Sequence, residues 1–210
     1  MRSTSSPDGL SFLEAARRAQ IVNCAIDGLA EEGYRHTTLA RIAERAGVSK
    51  SVVVYHFGGK DEVLEQVAAE VFKTATEVVT PAVAGQTTAS GKLRAYLQAR
   101  IGFLATHRQH MLALFEIWMN LRTDDGRLRF GEADAVQTVD AIEQILRAGR
   151  RAGEFGSFDP AVMAMAIRQA VDGVLLQLRV RPDLDLDTYS RELVALFERA
   201  TAKNPSRGKQ

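Results

Sequence analysis

The chain has 210 residues, 46% of them hydrophobic, with 27 Lys/Arg against 26 Asp/Glu and a net charge of +1, enough to bury one sizeable core or two small ones. A single cysteine, Cys24, excludes an internal disulfide framework and a multi-cysteine zinc site, and is expected as a buried small hydrophobe. No run reads as long enough to span a membrane and no charged-then-apolar leader opens the chain, so the cytoplasm is the expected compartment.

Residues 1–12, with their serines, Pro7 and Gly9, read as a flexible N-terminal segment. Ile21, Cys24, Ala25, Gly28 and Leu29 then form one helical stripe, which Gly33 stops. Arg17 and Arg18 stand near the start of this helix, within reach of a flanking phosphate or as an ordinary solvated helix end.

Thr38 is placed to cap a short helix whose apolar face is Leu39, Ile42, Ala43 and Ala46. Gly47 supplies the left-handed residue of a sharp turn, and Ser49 can cap a second helix from Lys50 to His56, with Val53 and Phe57 inward. Small Ala43, turn glycine Gly47 and apolar wedge Val53 are spaced as in a helix-turn-helix, whose second helix enters the DNA major groove. From Tyr34 to Lys60 there are five Lys/Arg (Arg35, Arg41, Arg45, Lys50, Lys60) against one acidic residue, Glu44, so basic charge gathers where phosphates would lie. An ordinary helical hairpin is the alternative, and the charge weighs against it.

Gly58-Gly59 breaks the chain, and Lys60 opens a long helix with Asp61 and Glu62 in its first turn. Its face of Val63, Leu64, Val67, Val71, Phe72, Ala75 and Val78 runs to Pro81, a rigid lever. Pro81 to Gly91 has loop composition and is the expected interior hinge. A helix through Leu93, Tyr96, Leu97, Ile101 and Leu104 follows, and then Gln109 to Leu121, apolar nearly all round, as in a buried helix or a cavity wall. Asp124-Asp125-Gly126 turns the chain into a helix through Ala133, Val136, Val139, Ile142, Ile145 and Leu146, which ends in the basic run Arg147 to Gly153.

Asp159 caps a helix with Pro160 at its first position, and Pro182 ends it. Asp187 or Thr188 is expected to cap the last helix, whose stripe is Leu193, Val194, Leu196, Phe197 and Ala200. These last two helices are more apolar than one face requires. Ala166, Ala170 and Gly173 permit close approach, so their outer faces suit a two-fold interface. Residues 203–210 read as a flexible tail.

Candidate liners of a ligand cavity are Phe103, Met111, Phe115, Trp118, Met119 and Met163, with His107, His110, Arg122, Gln169, Asp172 and Gln177 as polar handles. Plain core is the alternative reading of such a stripe. His107 and His110 could meet Glu116, but no cysteine or further histidine completes a metal site nearby, so neither metal nor cofactor is expected.

Ile21 through Ala25, Glu31 to Tyr34, Thr37 to Ile42, Ala46 to Lys50, and Tyr55-His56-Phe57 to Lys60 resemble the N-terminal domain of the tetracycline-repressor (TetR) family over about the first third of the chain. The resemblance implies an all-α transcription factor: a three-helix helix-turn-helix domain over residues 13–60, joined by a long helix to a helical effector-binding and dimerisation bundle over 61–202. It implies a homodimeric repressor on double-stranded palindromic operator DNA, released by a small molecule. Carried over, Thr38, Lys50, Tyr55, His56 and Lys60 would meet DNA, with Ser49 beside them. Ser51, Val52 and Val54 depart from the family pattern, so base reading would lean on thymine methyl contacts and the Ser51 hydroxyl. A DNA-binding protein without an effector, or an all-α enzyme pairing His107 or His110 with Asp172, are the readings from other classes.

Overall fold

The computed structural model describes residues 11–130 and 132–203, apart from the side chains of 132–137. Of the flexible ends expected at 1–12 and 203–210, residues 1–10 and 204–210 lie outside the described residues. Among the described residues there are nine helices: α1 Phe12–Glu32, α2 Leu39–Arg45, α3 Lys50–Phe57, α4 Lys60–Ala84, α5 Ala89–Thr106, α6 Arg108–Asn120, α7 Glu132–Arg151, α8 Pro160–Val180 and α9 Leu186–Thr201. Among them the only β-bridge is an antiparallel one between Arg122 and Leu128.

Helix α1 starts earlier than its apolar stripe suggests. Ser11 accepts from the Glu14 amide at 3.3 Å while the Glu14 carboxylate accepts from the Ser11 amide at 2.9 Å, a reciprocal cap that makes Phe12 helical. Its buried face is Ile21, Val22, Ala25, Ile26, Gly28 and Leu29. Cys24, at the edge of that face, is half-buried rather than buried, and burial pushes its thiol up.

Helix α4 corrects two expectations. It runs through Pro81 to Ala84, so the proline does not end it. Proline forfeits one backbone donor near the helix end, and the final turn still closes through Gly85 N–H to the Pro81 carbonyl at 3.0 Å. The hinge expected from Pro81 to Gly91 shrinks accordingly, because Thr88 caps α5 by accepting from Gly91 N–H at 3.0 Å. The same helix start is held from 65 residues away: Glu154 accepts from the amides of Ala89 at 3.1 Å and Ser90 at 3.0 Å. Helix α9 is capped by Asp185, not by Asp187 or Thr188; its carboxylate accepts from both of their amides at 3.0 Å.

Helix α8 follows its signal, with Asp159 accepting from Ala161 and Val162 N–H and Pro160 opening the helix. It is also long and apolar enough to cross a membrane by length and composition alone, with a mean hydropathy of 1.3, contrary to the sequence expectation. Ile167, Val171, Val174 and Leu178 are buried in the protein core, as in a core helix.

The chain divides into two compact units, and the border falls inside α4 after Lys73. One unit combines the N-terminal helices and the first half of α4 with Gln109–Phe130, which holds α6 and the Arg122–Leu128 hairpin. Phe72 packs on Trp118 at 6.0 Å between ring centres, and Glu65 pairs with Arg129 at 2.7 Å. In the other unit, α5 packs against α7, α8 and α9, and α7 against α8. Gly149 of α7 allows a close approach there, since a Cβ would overlap the Phe155 ring.

Candidate nucleic-acid interface

Helix α1 and the two short helices α2 and α3 position the candidate surface. Thr38 is in extended conformation before α2 and accepts from Arg41 N–H at 3.3 Å. Its neighbour Thr37, which no local signal singles out, is buried and donates to the Gly33 carbonyl at 2.9 Å, closing the α1–α2 turn. Gly47 has φ +63°, and a methyl in place of its hydrogen would meet no atom within 4 Å, so backbone conformation alone demands glycine there. Val53 is fully buried and Phe57 nearly so, and they anchor α3 against α1 and α2. Each fully buried aliphatic side chain of this small core contributes about 1.5–3 kcal/mol, enough to hold the β-branched run Val52-Val53-Val54 in a helix it does not intrinsically favour.

With Val53 and Phe57 inward, Lys50, Ser51, Val54 and Tyr55 are exposed, Tyr55 by 77% and Val54 by 39%. Val52 and His56 are half-buried. Ser49 stands at the N-cap position without a side-chain capping bond, and its hydroxyl pairs with that of Ser51 at 2.8 Å. That leaves the first amides of α3 and two hydroxyls together at one end of the exposed face. Helix N-terminal amides of this kind favour phosphate oxygens.

The basic residues have divided roles. Arg45 binds Glu31 and Glu32, each at 2.6 Å, and Glu32, then Glu31, raise its pKa further. Arg41 stands 3.7 Å from Glu32. The local surplus of basic charge is therefore smaller than the Tyr34–Lys60 count implies, because two glutamates just before that window fold against it. Arg18 lies 4.1 Å over the Phe57 ring and donates to the His56 carbonyl, so it fastens α3 to α1 instead of flanking it as a phosphate ligand. Arg17 donates to Gln20 at 2.7 Å.

Lys60 carries a bond that its motif does not announce. Its ammonium donates to the Tyr34 carbonyl at 2.9 Å and lies 4.0 Å over the Tyr34 ring, where burial pulls its pKa down. On the other side of Tyr34, its N–H donates to Glu116 of α6 at 3.0 Å. One turn residue is thus held by α4 through its carbonyl and by α6 through its amide. Only a long-range fold reveals Glu116, which is 82 residues away in sequence.

Two family descriptions match this chain in tandem: "Bacterial regulatory proteins, tetR family" over residues 21–67 and "Tetracyclin repressor-like, C-terminal domain" over residues 86–176. The chain belongs to the TetR family of bacterial regulatory proteins. As a TetR-family member it is a DNA-binding transcriptional regulator. It is similar to the HTH-type transcriptional regulator BetI 1 of Chromohalobacter salexigens, 40% identical over 53 residues, which are 25% of this chain and 26% of that protein. It is also similar to BetI of Burkholderia cenocepacia, 34% identical over 84 residues, 40% of this chain and 43% of that one. The match thus spans less than half the length of these curated relatives.

Solved structures extend the likeness of fold to most of the chain. The MbdR regulator of Azoarcus has a TM-score of 0.70 at 26% identity, covering 86% of this chain and 96% of its own. The fatty acid degradation regulator FadR of Bacillus halodurans has a TM-score of 0.73 at 18% identity, covering 92% and 97%.

The residues proposed from sequence as ligand liners separate between the two units. In the first, Met111 is buried and Phe115 and Trp118 are half-buried, but Met119 is 55% exposed and Arg122 is exposed, bonding the Gly126 carbonyl at 3.3 Å. Helix α6 is therefore not buried all round, and Met119 and Arg122 face outward from it and from the following hairpin. In the second unit, Phe103 is buried and stacks on His107 at 4.3 Å. Asp172 is largely buried between two arginines, whereas Gln169 is exposed on α8. Among the described residues, no group of three or more His, Cys, Asp or Glu could hold a metal ion.

Proposed function

We propose that this protein is a ligand-responsive repressor that binds a palindromic operator as a homodimer in the cytoplasm and is released by a small molecule. The observation that carries the DNA half is the exposed α3 face of Lys50, Ser51, Val54 and Tyr55, fixed from behind by Val53, Phe57 and Arg18. Thr38 and Ser49 stand at the N-termini of α2 and α3 as phosphate ligands, and Lys50 and Tyr55 reach backbone or bases. Val52 and Val54 offer methyl contacts to thymine. His56 and Lys60 support this surface more than they form it, since the His56 carbonyl and the Lys60 ammonium are both used internally.

The homodimer reading is supported by α8. Val162, Met165, Leu176 and Val180 are exposed by 50–79% and recur, with Gln169 and Gly173, at helical spacing along one stripe. A methyl on Gly173 would meet nothing within 4 Å, so a second helix has room to approach there. Leu196 of α9, half exposed, adds to the exposed apolar surface. An effector site within the second unit, with Phe103, His107 and Asp172 as its inward groups, completes the reading; Met111, Phe115 and Trp118 belong to the first unit.

Selection of bound sequences from random DNA by the purified protein tests the proposal. An inverted repeat with half-sites about one or more helical turns apart is expected. Recovery of a single half-site, or of no sequence preference, would sink it.

A further inference from the structure

One group of charges in the second unit is left unbalanced. Arg100 of α5 faces Asp172 of α8 at 3.7 Å, while Arg168, one turn before Asp172, holds the same carboxylate at 3.1 Å. All three side chains are largely buried, with 17%, 23% and 14% of their surfaces exposed for Arg100, Asp172 and Arg168. Two guanidiniums thus share one carboxylate, and Arg168 has the shorter hold on it. Arg100 Nε is wholly buried and has no hydrogen-bond acceptor. Burial pushes the Asp172 carboxyl up despite both neighbouring guanidiniums, so this acid is itself a reluctant anion.

A buried guanidinium with an unmet donor is costly, and the cost is relieved when an anion enters with its own acceptor oxygens. The setting defines the rest of such an anion. Tyr96, Arg100, Phe103 and His107 recur on one face of α5; Tyr96 and Phe103 are buried, and Phe103 stacks on His107. Leu97, Ile101, Ile167 and Val171 along the same two helices are buried too.

We infer that Arg100 is the receptor for the carboxylate of an acidic, otherwise apolar ligand, held between α5 and α8 with its body along the Tyr96–Phe103–His107 face. A carboxylate matches the planar fork of a guanidinium with two parallel bonds, which Asp172 at its distance does not provide. This assignment rests on the effector reading above, whose ligand it makes an organic acid.

The test uses the full-length protein as wild type, Arg100→Met and Arg100→Gln. Urea unfolding without added compound comes first: the variants, relieved of a buried guanidinium whose Nε has no acceptor, should unfold at the same or higher urea. Sodium benzoate and sodium decanoate are then titrated against their primary amides, followed by thermal shift and calorimetry. At least one acid should stabilise the wild type where its amide does not, and both variants should bind it roughly 10- to 100-fold more weakly. Lower urea resistance in both variants would make Arg100 a structural ion, its acceptor supplied by the protein or by a second copy, and would overturn the inference. Equal effects of acid and amide, or no binding of either acid, would overturn it as well. Operator affinity in the same titrations separates the two readings. An acid that binds through Arg100 and leaves operator affinity unchanged keeps this site and removes the effector role. A neutral compound that releases wild type and Arg100→Met alike keeps the effector role and removes the anion site.

Discussion

Tyr55 is 77% exposed at the end of a helix whose neighbours Val53 and Phe57 are buried, so its ring contributes little to the fold and much to whatever α3 touches. Tyr55→Ala should change stability by no more than about 0.5 kcal/mol while lowering operator affinity at least tenfold, read by urea unfolding and fluorescence anisotropy side by side. A loss of fold stability equal to the loss of affinity would assign Tyr55 to the core instead. Lys60 behaves differently because it bonds the Tyr34 carbonyl and covers its ring. Lys60→Ala should lower stability by about 1 kcal/mol and weaken all DNA sequences alike; a phosphate contact in addition would show as a shallower salt dependence. Thr38, Gly47 and Val53 are legible in the sequence because capping, turn conformation and helical spacing are local rules, whereas Tyr55 is singled out only by the family resemblance. Arg18, Thr37 and the second bond of Lys60 are not legible, since each depends on a carbonyl or ring that only the folded turn brings near.

Helix ends follow the same division. Ser11 and Asp159 cap their helices from adjacent sequence, but the start of α5 also depends on Glu154, across 64 and 65 residues. The amides of Ser90, then Ala89, hold the Glu154 carboxyl below the ordinary carboxylate value. With the folded pKa lowered, its stabilisation is present above the unfolded pKa, near 4.5, and is lost as pH falls through the folded one. Glu154→Gln should therefore lower the melting temperature at neutral pH and flatten the fall in stability on the acid side; parallel acid limbs for wild type and variant would exclude this. Helix α4 shows the opposite error of a local rule applied too firmly. Proline usually closes a helix, yet at Pro81 the helix continues for three more residues, and the expected hinge contracts to the few residues before Ala89. Asp185 is not distinguished in sequence from Asp187 and Thr188 because all three offer suitable oxygens, and only backbone geometry chooses among them.

For the whole molecule, the all-α class and the order of its helices are legible from periodicity, and the two-part organisation is legible in kind, although α6 groups with the N-terminal helices rather than with the bundle. The α8 stripe makes a prediction about assembly. Met165→Glu with Leu176→Glu alters two side chains already about half exposed in the single chain, so helicity should persist while sedimentation shifts from dimer to monomer. Operator affinity should fall by roughly 100-fold or more, as the two half-sites no longer act together; an unchanged sedimentation coefficient would place the interface elsewhere. The hold on Tyr34 has a further consequence. Its N–H is donated to a carboxylate from α6, not to a neighbouring carbonyl, so its exchange with deuterated solvent is governed by how often α6 lets go of that turn. The Tyr34 amide is therefore a built-in timer for one contact. Its exchange rate in wild type and in Glu116→Gln would follow the release of α6 from the DNA-reading helices, with no operator present.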